Sequence, residues 1–113
     1  MHEAGLMQEA LELAREHMTR QGGTRIHRLR LRVGPLAGVV PAALQFAFEA
    51  LTPGTPAEGA SLEIVDVPVI CFCPGCAREF PTAGWVFECP DCRQLTDQVR
   101  QGQELLLDSL EVS

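Results

Sequence analysis

The chain has 113 residues, 46% of them hydrophobic, so it is long enough for one compact core and too apolar for wholesale disorder. Its net charge of −6 argues against non-specific nucleic-acid binding, which depends on basic side chains that neutralise phosphates. No apolar run reaches the length of a membrane-spanning helix, and residues 1–20 carry too many acids for a secretory signal. We therefore expect a cytoplasmic protein.

The N-terminal part of the chain predicts a helix followed by a strand. Residues 4–21 carry apolar side chains at three- and four-residue steps, which is typical of an amphipathic helix, and the glycine pair at 22–23 ends it. Residues 24–34 alternate apolar residues with arginine, which predicts a strand with one buried face. The other face carries a basic row that fits either a solvated surface or a docking surface for an acidic partner: Arg28, Arg30 and Arg32.

The remaining core elements are one helix and two strands. Pro41 suits the first turn of a helix that runs to about Leu51. A loop rich in proline and glycine follows, and residues 62–69 and 104–112 are typical of strands. We therefore predict an α+β fold in which two helices pack on a three-stranded sheet.

Residues 70–97 differ in character from the sequence on either side. They hold all five cysteines and three prolines, with too few aliphatic residues to form a core of their own. The economical interpretation is a small metal-held module inserted into the α+β core. We predict a core domain made of residues 1–69 and 98–113, and an inserted zinc-ribbon domain at residues 70–97.

Four cysteines form two Cys-x-x-Cys pairs, Cys73 with Cys76 and Cys89 with Cys92. A two-residue gap lets both sulfurs of a pair reach one metal from a tight turn, and two such turns supply the tetrahedral Cys₄ coordination of a structural zinc site. Four ligands leave no open position, so this zinc is predicted to hold structure and not to catalyse. Two redox dithiols are the alternative, but neither pair opens a helix in a βαβ context.

The fifth cysteine, Cys71, lies outside this spacing. Strand alternation puts it near Val67 and Val69. The simpler interpretation is a small buried hydrophobic side chain, and the alternative is a spare or exchange ligand.

The chain begins Met1-His2-Glu3, whose nitrogens could chelate a metal. The amine of Met1 and the amide of His2 close a five-membered ring, and the same amide and the imidazole Nδ1 of His2 close a six-membered ring. Glu3 could fill the fourth planar position through its amide or its carboxylate. Planar nitrogen-rich sites suit Ni(II) or Cu(II), of which copper binds more tightly. Histidine also occurs near the start of many chains by chance, and His17 and His27 have no ligand pattern around them.

Several motifs occur along the chain in a fixed order. Met1-His2-Glu3 precedes the amphipathic helix, and the arginine-alternating strand ends in Val33-Gly34. Leu36-Ala37-Gly38-Val39 and the segment LQFAFE at 44–49 follow, and the Cys₄ insert precedes LEV at 110–112. In this combination the chain resembles the HypA/HybF family of hydrogenase-maturation nickel-delivery proteins over nearly its whole length.

The resemblance implies a nickel metallochaperone that is not an enzyme. It implies Zn(II) as a structural cofactor and Ni(II) as transient cargo, passed to the large subunit of [NiFe]-hydrogenase together with a GTPase nickel-insertion partner. Some members also serve urease maturation, and neither nucleic acid nor a membrane is implied. The family's nickel site and zinc ligands carry over, respectively, to Met1, His2 and Glu3, and to Cys73, Cys76, Cys89 and Cys92.

One position departs from the family pattern. Members often carry an acidic residue just after the valine that matches Val39, near the nickel site. Here that position is Val40, followed by Pro41. The resemblance therefore implies that this chain completes its nickel coordination with Glu3, water or a group from a partner.

Two other classes of protein share parts of the pattern. A zinc-ribbon module that binds proteins or nucleic acid predicts basic and aromatic residues on the ribbon. The ribbon has few basic residues, and its aromatic residues suit packing around the zinc turns: Phe72, Phe80, Trp85 and Phe87. A hydrolytic metalloenzyme needs an open metal position, which a closed Cys₄ site lacks.

Overall fold

A computed structural model describes residues 2–113, and Met1 lies outside the described residues. Within these residues the fold contains two α-helices and two three-stranded sheets, which confirms the predicted α+β class and adds a second sheet. The chain forms two compact units, the first from residues up to 32, 39–65 and 106–113, and the second from 33–38 and 66–105. Within residues 2–113, no helix combines the length and apolarity needed to cross a membrane.

Helix α1 spans Glu3–Arg20 in the first unit. Its buried apolar residues share one side, as the helical repeat requires: Met7, Ala14 and Met18. The helix ends where Gly22 adopts a left-handed conformation at φ 73° and the N–H of Gly23 donates to the carbonyl of Met18 at 2.9 Å.

Helix α2 spans Pro41–Leu51, with Pro41 in the first turn, where its missing N–H costs no helical hydrogen bond. Its buried side is formed by Leu44, Ala47 and Phe48. At the C-terminal end, the backbone N–H and the buried hydroxyl of Thr52 both donate to the carbonyl of Phe48, at 3.2 and 2.9 Å.

The first sheet has the strand order β2-β1-β6, with β1 at Ile26–Val33, β2 at Ser61–Asp66 and β6 at Leu105–Val112. Strands β1 and β6 are antiparallel, because Arg25 and Ser113 exchange backbone hydrogen bonds at one end and Gly34 donates to Glu104 at the other. Strands β1 and β2 run in the same direction, because Ile26 donates to Pro56 at their start and Val67 donates to Val33 at their end. Helix α2 therefore lies on the connection between two parallel strands.

The second unit contains the other sheet, in the order β4-β3-β5, with β3 at Val69–Cys73, β4 at Arg78–Thr82 and β5 at Val99–Gln101. Strand β3 is antiparallel to both neighbours, and Cys71 faces Phe80 across it while Cys73 faces Arg78. A short 3₁₀ helix, Pro35–Ala37, also belongs to this unit, and the N–H of Leu36 donates to the carbonyl of Gly102 at 2.8 Å. The buried cluster comprises Val69, Cys71, Cys73, Phe80 and Cys89.

One predicted strand is in fact two strands. The sequence predicts a single strand over residues 62–69, whereas β2 ends at Asp66 and β3 begins at Val69. Pro68 lies between them and has no N–H to donate to a neighbouring strand, so the ladder cannot continue through it. The helices and the strands β1 and β6 lie within two residues of their predicted bounds.

The unit that contains the cysteines is wider than the predicted insert at residues 70–97. It includes β5, which pairs with β3, and residues 33–38, whose backbone bonds to Gly102 and Glu104. Both segments are short and carry no periodic pattern, so the sequence alone placed them with the core.

Candidate metal centre

The four paired cysteines converge on one point in the second unit. Their Sγ atoms all lie within 4.8 Å of one another, with 3.6 Å between Cys73 and Cys92 and 3.9 Å between Cys76 and Cys89. Four sulfurs at about 2.3 Å from a central zinc lie about 3.8 Å apart in a regular tetrahedron. The spacing of the thiols therefore fits one tetrahedral metal ion.

Each cysteine pair ends in the same backbone conformation. Ala77 follows Cys76 with φ 54°, and Arg93 follows Cys92 with φ 65°, and within residues 2–113 these are the only non-glycine residues with positive φ. A left-handed conformation costs such residues on the order of 1 kcal/mol or more, and it persists where the surroundings enforce it. Two such turns that face each other indicate a pair of metal-binding knuckles.

The second knuckle is fixed by its own backbone hydrogen bonds. The N–H of Arg93 donates to the carbonyl of Cys89 at 2.9 Å, and the N–H of Cys89 donates to the carbonyl of Gln94 at 3.0 Å. Gly75, in the first knuckle, leaves room for the Gln94 side chain, because a Cβ there would lie 2.8 Å from its Oε1. Local turns thus orient the thiols of this knuckle toward one point.

The close approach of the four thiols opposes their simultaneous ionisation. Hydrogen bonding with Cys92, and next with Cys89, raises the pKa of Cys76 to about 12. The backbone N–H of Cys92 lowers the pKa of Cys89, because it stabilises the thiolate. A divalent ion would displace the remaining thiol protons and allow the four sulfurs to act as thiolates together.

Cys71 is not part of this cluster. It is fully buried in β3 opposite Phe80, and burial raises the pKa of its thiol. Its surroundings are apolar, among them Val69 on the same strand. This placement favours the interpretation of Cys71 as a small hydrophobic core residue.

The start of helix α1 is the second candidate site. His2 is the N-cap residue, and its side chain is 60% exposed, whereas Glu3 is only 6% exposed. One carboxylate oxygen of Glu3 accepts a hydrogen bond from the backbone N–H of Val40 at 3.1 Å, and the other lies 3.7 Å from Nδ1 of His2. Of the predicted nickel ligands, Met1 lies outside the described residues, so the geometry concerns His2 and Glu3.

The ionised form of Glu3 is favoured where it lies. Hydrogen bonds from its own backbone N–H, and next from that of Val40, lower the pKa of its carboxyl. The first intrahelical bond is made by Leu6, whose N–H donates to the carbonyl of His2 at 2.9 Å. The amide nitrogens of His2 and Glu3 are therefore not committed to helical hydrogen bonds.

Val40 contributes only its backbone to this end of the unit. Its side chain is exposed and apolar, so it offers no carboxylate to a metal. The hydrogen bond from Val40 to Glu3 could not be read from the sequence, because it joins residues 37 positions apart.

Two of the three arginines of the basic row on β1 are paired within their own sheet. Arg28 lies 2.9 Å from Glu111, and Arg30 forms an ion pair with Glu63. Charge that is balanced by neighbouring strands attracts an acidic partner less than a free arginine row does. The pairing favours a solvated surface over a docking surface.

Comparisons with known proteins agree along the whole chain. The family model described as hydrogenase/urease nickel incorporation, metallochaperone, hypA, matches residues 1–112. The hydrogenase maturation factor HypA of a Picosynechococcus species is 46% identical over 112 residues, which cover 99% of each chain. That of Acidithiobacillus ferrooxidans is 40% identical over 112 residues, with the same coverage.

Solved structures of similar chains have the same fold. The solution structure of the Ni metallochaperone HypA from Helicobacter pylori superposes with a TM-score of 0.69 at 25% identity and covers 99% of this chain and 97% of that one. A second solution structure, of HypA protein, has a TM-score of 0.72 at 28% identity, with 100% and 97% covered.

Proposed function

The chain belongs to the HypA family of nickel metallochaperones in hydrogenase maturation, and on that premise we propose that it binds its nickel cargo through Met1, His2 and Glu3. The observation that supports this most is the exposed imidazole of His2 at the first turn of a helix, beside two amide nitrogens free of helical hydrogen bonds. Nickel bound there would be held by the backbone and one side chain at the protein surface. Binding and transfer need no catalytic residue, so we assign none.

The ligand set follows from chelate geometry. The amine of Met1, the amide of His2 and the imidazole Nδ1 of His2 supply two fused rings, and planar nitrogen donors suit Ni(II). The amide nitrogen of Glu3, or water, takes the fourth position. The carboxylate of Glu3 is already engaged by the N–H of Val40, so we place it in support of the ligands. Copper would bind more tightly, and selectivity for nickel then depends on metal supply.

One experiment tests this site through the α-amine. The sequence contains no lysine, so mild acetylation modifies the amine of Met1 with no competing side-chain amine. We expect acetylation, and separately His2→Ala, to abolish stoichiometric nickel binding in calorimetry while the zinc content stays the same. His27→Ala is the matched control, because His27 is an exposed histidine that bonds to Ser113. Unchanged nickel affinity after acetylation would refute the site.

We assign the four-cysteine cluster to one structural Zn(II). Cys73, Cys76, Cys89 and Cys92 fill a tetrahedron and leave no position for substrate, so the ion holds the second unit together and does no chemistry. Cysteines that bind a metal and form no disulfide are typical of a reducing compartment, which supports a cytoplasmic location. We expect one zinc per purified chain, and a purified chain with native fold and no zinc would contradict the assignment.

The recipient we propose is the large subunit of [NiFe]-hydrogenase, reached with a GTPase nickel-insertion protein as partner. The family description also names urease, so we propose delivery of nickel during urease maturation as a second role. In a strain without this chain, hydrogenase activity should fall and recover with added nickel or with the wild-type gene. The His2→Ala gene should fail to restore it at low nickel. If the His2→Ala gene fully restored hydrogenase activity at low nickel, nickel delivery would not depend on the N-terminal site.

A further inference from the structure

The second cysteine knuckle continues into a short hairpin with a defined outward face. Glu88 and Leu95 form an antiparallel bridge, flanked by hydrogen bonds from Thr96 to Phe87 at 3.0 Å and from Cys89 to Gln94 at 3.0 Å. This pattern makes Glu88 and Leu95 a non-hydrogen-bonded pair, whose side chains lie close together on the same face.

Two more exposed residues flank the bridged pair along the chain. Val86 precedes Glu88 by two positions, and Asp97 follows Leu95 by two. All four side chains are exposed, whereas the intervening Phe87 and Thr96 are partly buried. We call Val86, Glu88, Leu95 and Asp97 the ribbon face.

The ribbon face combines apolar exposure with acidic charge. Val86 and Leu95 are each 68% exposed, and the neighbouring Trp85 is 73% exposed, an unusual amount of large apolar surface for so short a segment. Within residues 2–113, neither Glu88 nor Asp97 has a cationic group within 4.0 Å. By contrast, Asp91 in the same unit is paired with Arg78.

The face is also held in place. The hydroxyl of Thr82 donates to the carbonyl of Val86 at 3.2 Å, and the hydroxyl of Thr96 donates to the carbonyl of Phe72 at 2.8 Å. Cys89, one residue from Glu88, belongs to the metal centre. A surface fixed in this way loses little conformational entropy when it binds, which favours its use in recognition.

We propose that the ribbon face docks a segment of a partner protein in which aliphatic residues alternate with arginine or lysine. The aliphatic side chains would cover Val86 and Leu95, and the basic ones would pair with Glu88 and Asp97. The negative charge of Glu88 and Asp97 disfavours other binding partners at this face. A second copy of this chain would bring the same acids against each other across a two-fold axis, and nucleic acids and anionic lipids would be repelled. This inference does not depend on the nickel site.

The single tryptophan makes the test direct, because Trp85 stands beside the face and no other residue of its type contributes emission. The probe is an octapeptide of alternating leucine and arginine, added to the zinc-loaded full chain. We expect a saturable blue shift of the emission that weakens with salt, and none with an octapeptide of alternating leucine and glutamate. A shift of equal size with both peptides would overturn the charge argument.

Variants locate the binding. Leu95→Ser should weaken the affinity about tenfold or more, as loss of a central apolar contact does. Asp97→Lys should reduce the peptide affinity and make that affinity less dependent on salt. Asp97 is not one of the clustered cysteines' neighbours in sequence, so the zinc content of this variant should be unchanged. Glu79→Lys is the control, since it reverses an exposed acid of β4 outside the ribbon face. Binding that survives both Leu95→Ser and Asp97→Lys would place the site elsewhere.

Self-association is the remaining outcome to measure. Sedimentation of the unliganded chain should show no dimer that Leu95→Ser dissociates. If such a dimer forms, the occupant is a second copy and the proposal is wrong. His2→Ala should leave peptide binding intact, which keeps this result separate from that of the nickel experiment.

Discussion

Oε2 of Glu3 lies 3.1 Å from the backbone nitrogen of Val40, so the first turn of helix α1 is bonded to the residue that precedes helix α2. Within residues 2–113, Glu3 is the only buried residue with an ionisable side chain other than cysteine. A buried carboxylate is retained where it has strong hydrogen-bond partners, and here both are backbone N–H groups. The bond fixes the start of α1, and with it the neighbouring His2.

Replacement of Glu3 separates a supporting role from a ligand role. Glu3→Ala should lower the urea midpoint and weaken nickel binding, because Val40 loses its acceptor and His2 is less well held. Glu3→Gln should retain most of the stability and most of the nickel affinity, since the side-chain amide oxygen still accepts the hydrogen bond from the N–H of Val40. Calorimetry with nickel on both variants decides the matter. If Glu3→Gln loses as much nickel affinity as Glu3→Ala, the carboxylate of Glu3 is itself a nickel ligand.

The ion pair of Arg30 and Glu63 predicts a pH effect on stability. The hydrogen bond from Arg30 lowers the pKa of the Glu63 carboxyl in the folded state. Its stabilisation is therefore present above the ordinary glutamate pKa of about 4.3 and is lost as the pH falls through the lower folded value. Glu63→Gln should reduce the urea midpoint at neutral pH and narrow the difference from wild type in acid.

The control for that experiment is Glu49→Gln. Glu49 is an exposed acid of helix α2 with no cation within 4.0 Å in the described part of the chain. Subtracting the wild-type dependence of the urea midpoint on pH removes effects that are common to all variants, including loss of metal in acid. Equal pH dependence for Glu63→Gln and Glu49→Gln would show that the pair contributes nothing to folding.

Two glycines should respond in opposite directions to alanine. A Cβ on Gly34 would lie 2.8 Å from Cα of Gly102 and closer still to its carbonyl group, so backbone must move, at a cost of about 1–3 kcal/mol. A Cβ on Gly5 meets nothing within 4 Å in helix α1, where alanine is preferred by up to about 0.5–1 kcal/mol. Urea unfolding of both variants measures the two signs. If Gly34→Ala left the stability unchanged, the close approach of Gly34 to Gly102 would be relieved by a small movement of the backbone.

Cys71 should behave as a core residue under metal substitution. Cys71→Ala is expected to cost on the order of 1 kcal/mol and to leave the absorption of the cobalt-substituted chain unchanged. Cys89→Ser should remove the tetrahedral thiolate spectrum. The buried thiol of Cys71 should also resist alkylation while the chain is folded. A changed cobalt spectrum in Cys71→Ala would assign it to the metal site.

The features that the sequence predicts well are those that local spacing determines. Helix α1 and strand β1 follow from the recurrence of buried residues such as Met18 and Leu31, because burial on one face repeats with the element's own period. The placement of the two sulfurs within each cysteine pair also follows, since a two-residue gap puts both on one side of a turn. Both are properties of short stretches of chain.

Features that depend on distant chain segments could not be predicted. Strand β5 has three residues and exists because β3 offers it a free edge, so no periodicity marks it. The bond between Glu3 and Val40 depends on where two helices begin in space. Leu95 has the same apolar character as a core leucine, and only the pairing with Glu88 shows that it faces outward.

Residues 33–38 restrict how the cysteine-bearing unit can be exchanged between proteins. Gly34 and Leu36 donate backbone hydrogen bonds to Glu104 and Gly102, which lie about seventy positions later in the chain. A chimera that swaps residues 66–105 alone would leave those donors facing a foreign acceptor strand. We therefore expect a graft of this unit between relatives to fold best when residues 33–38 and 66–105 are exchanged together.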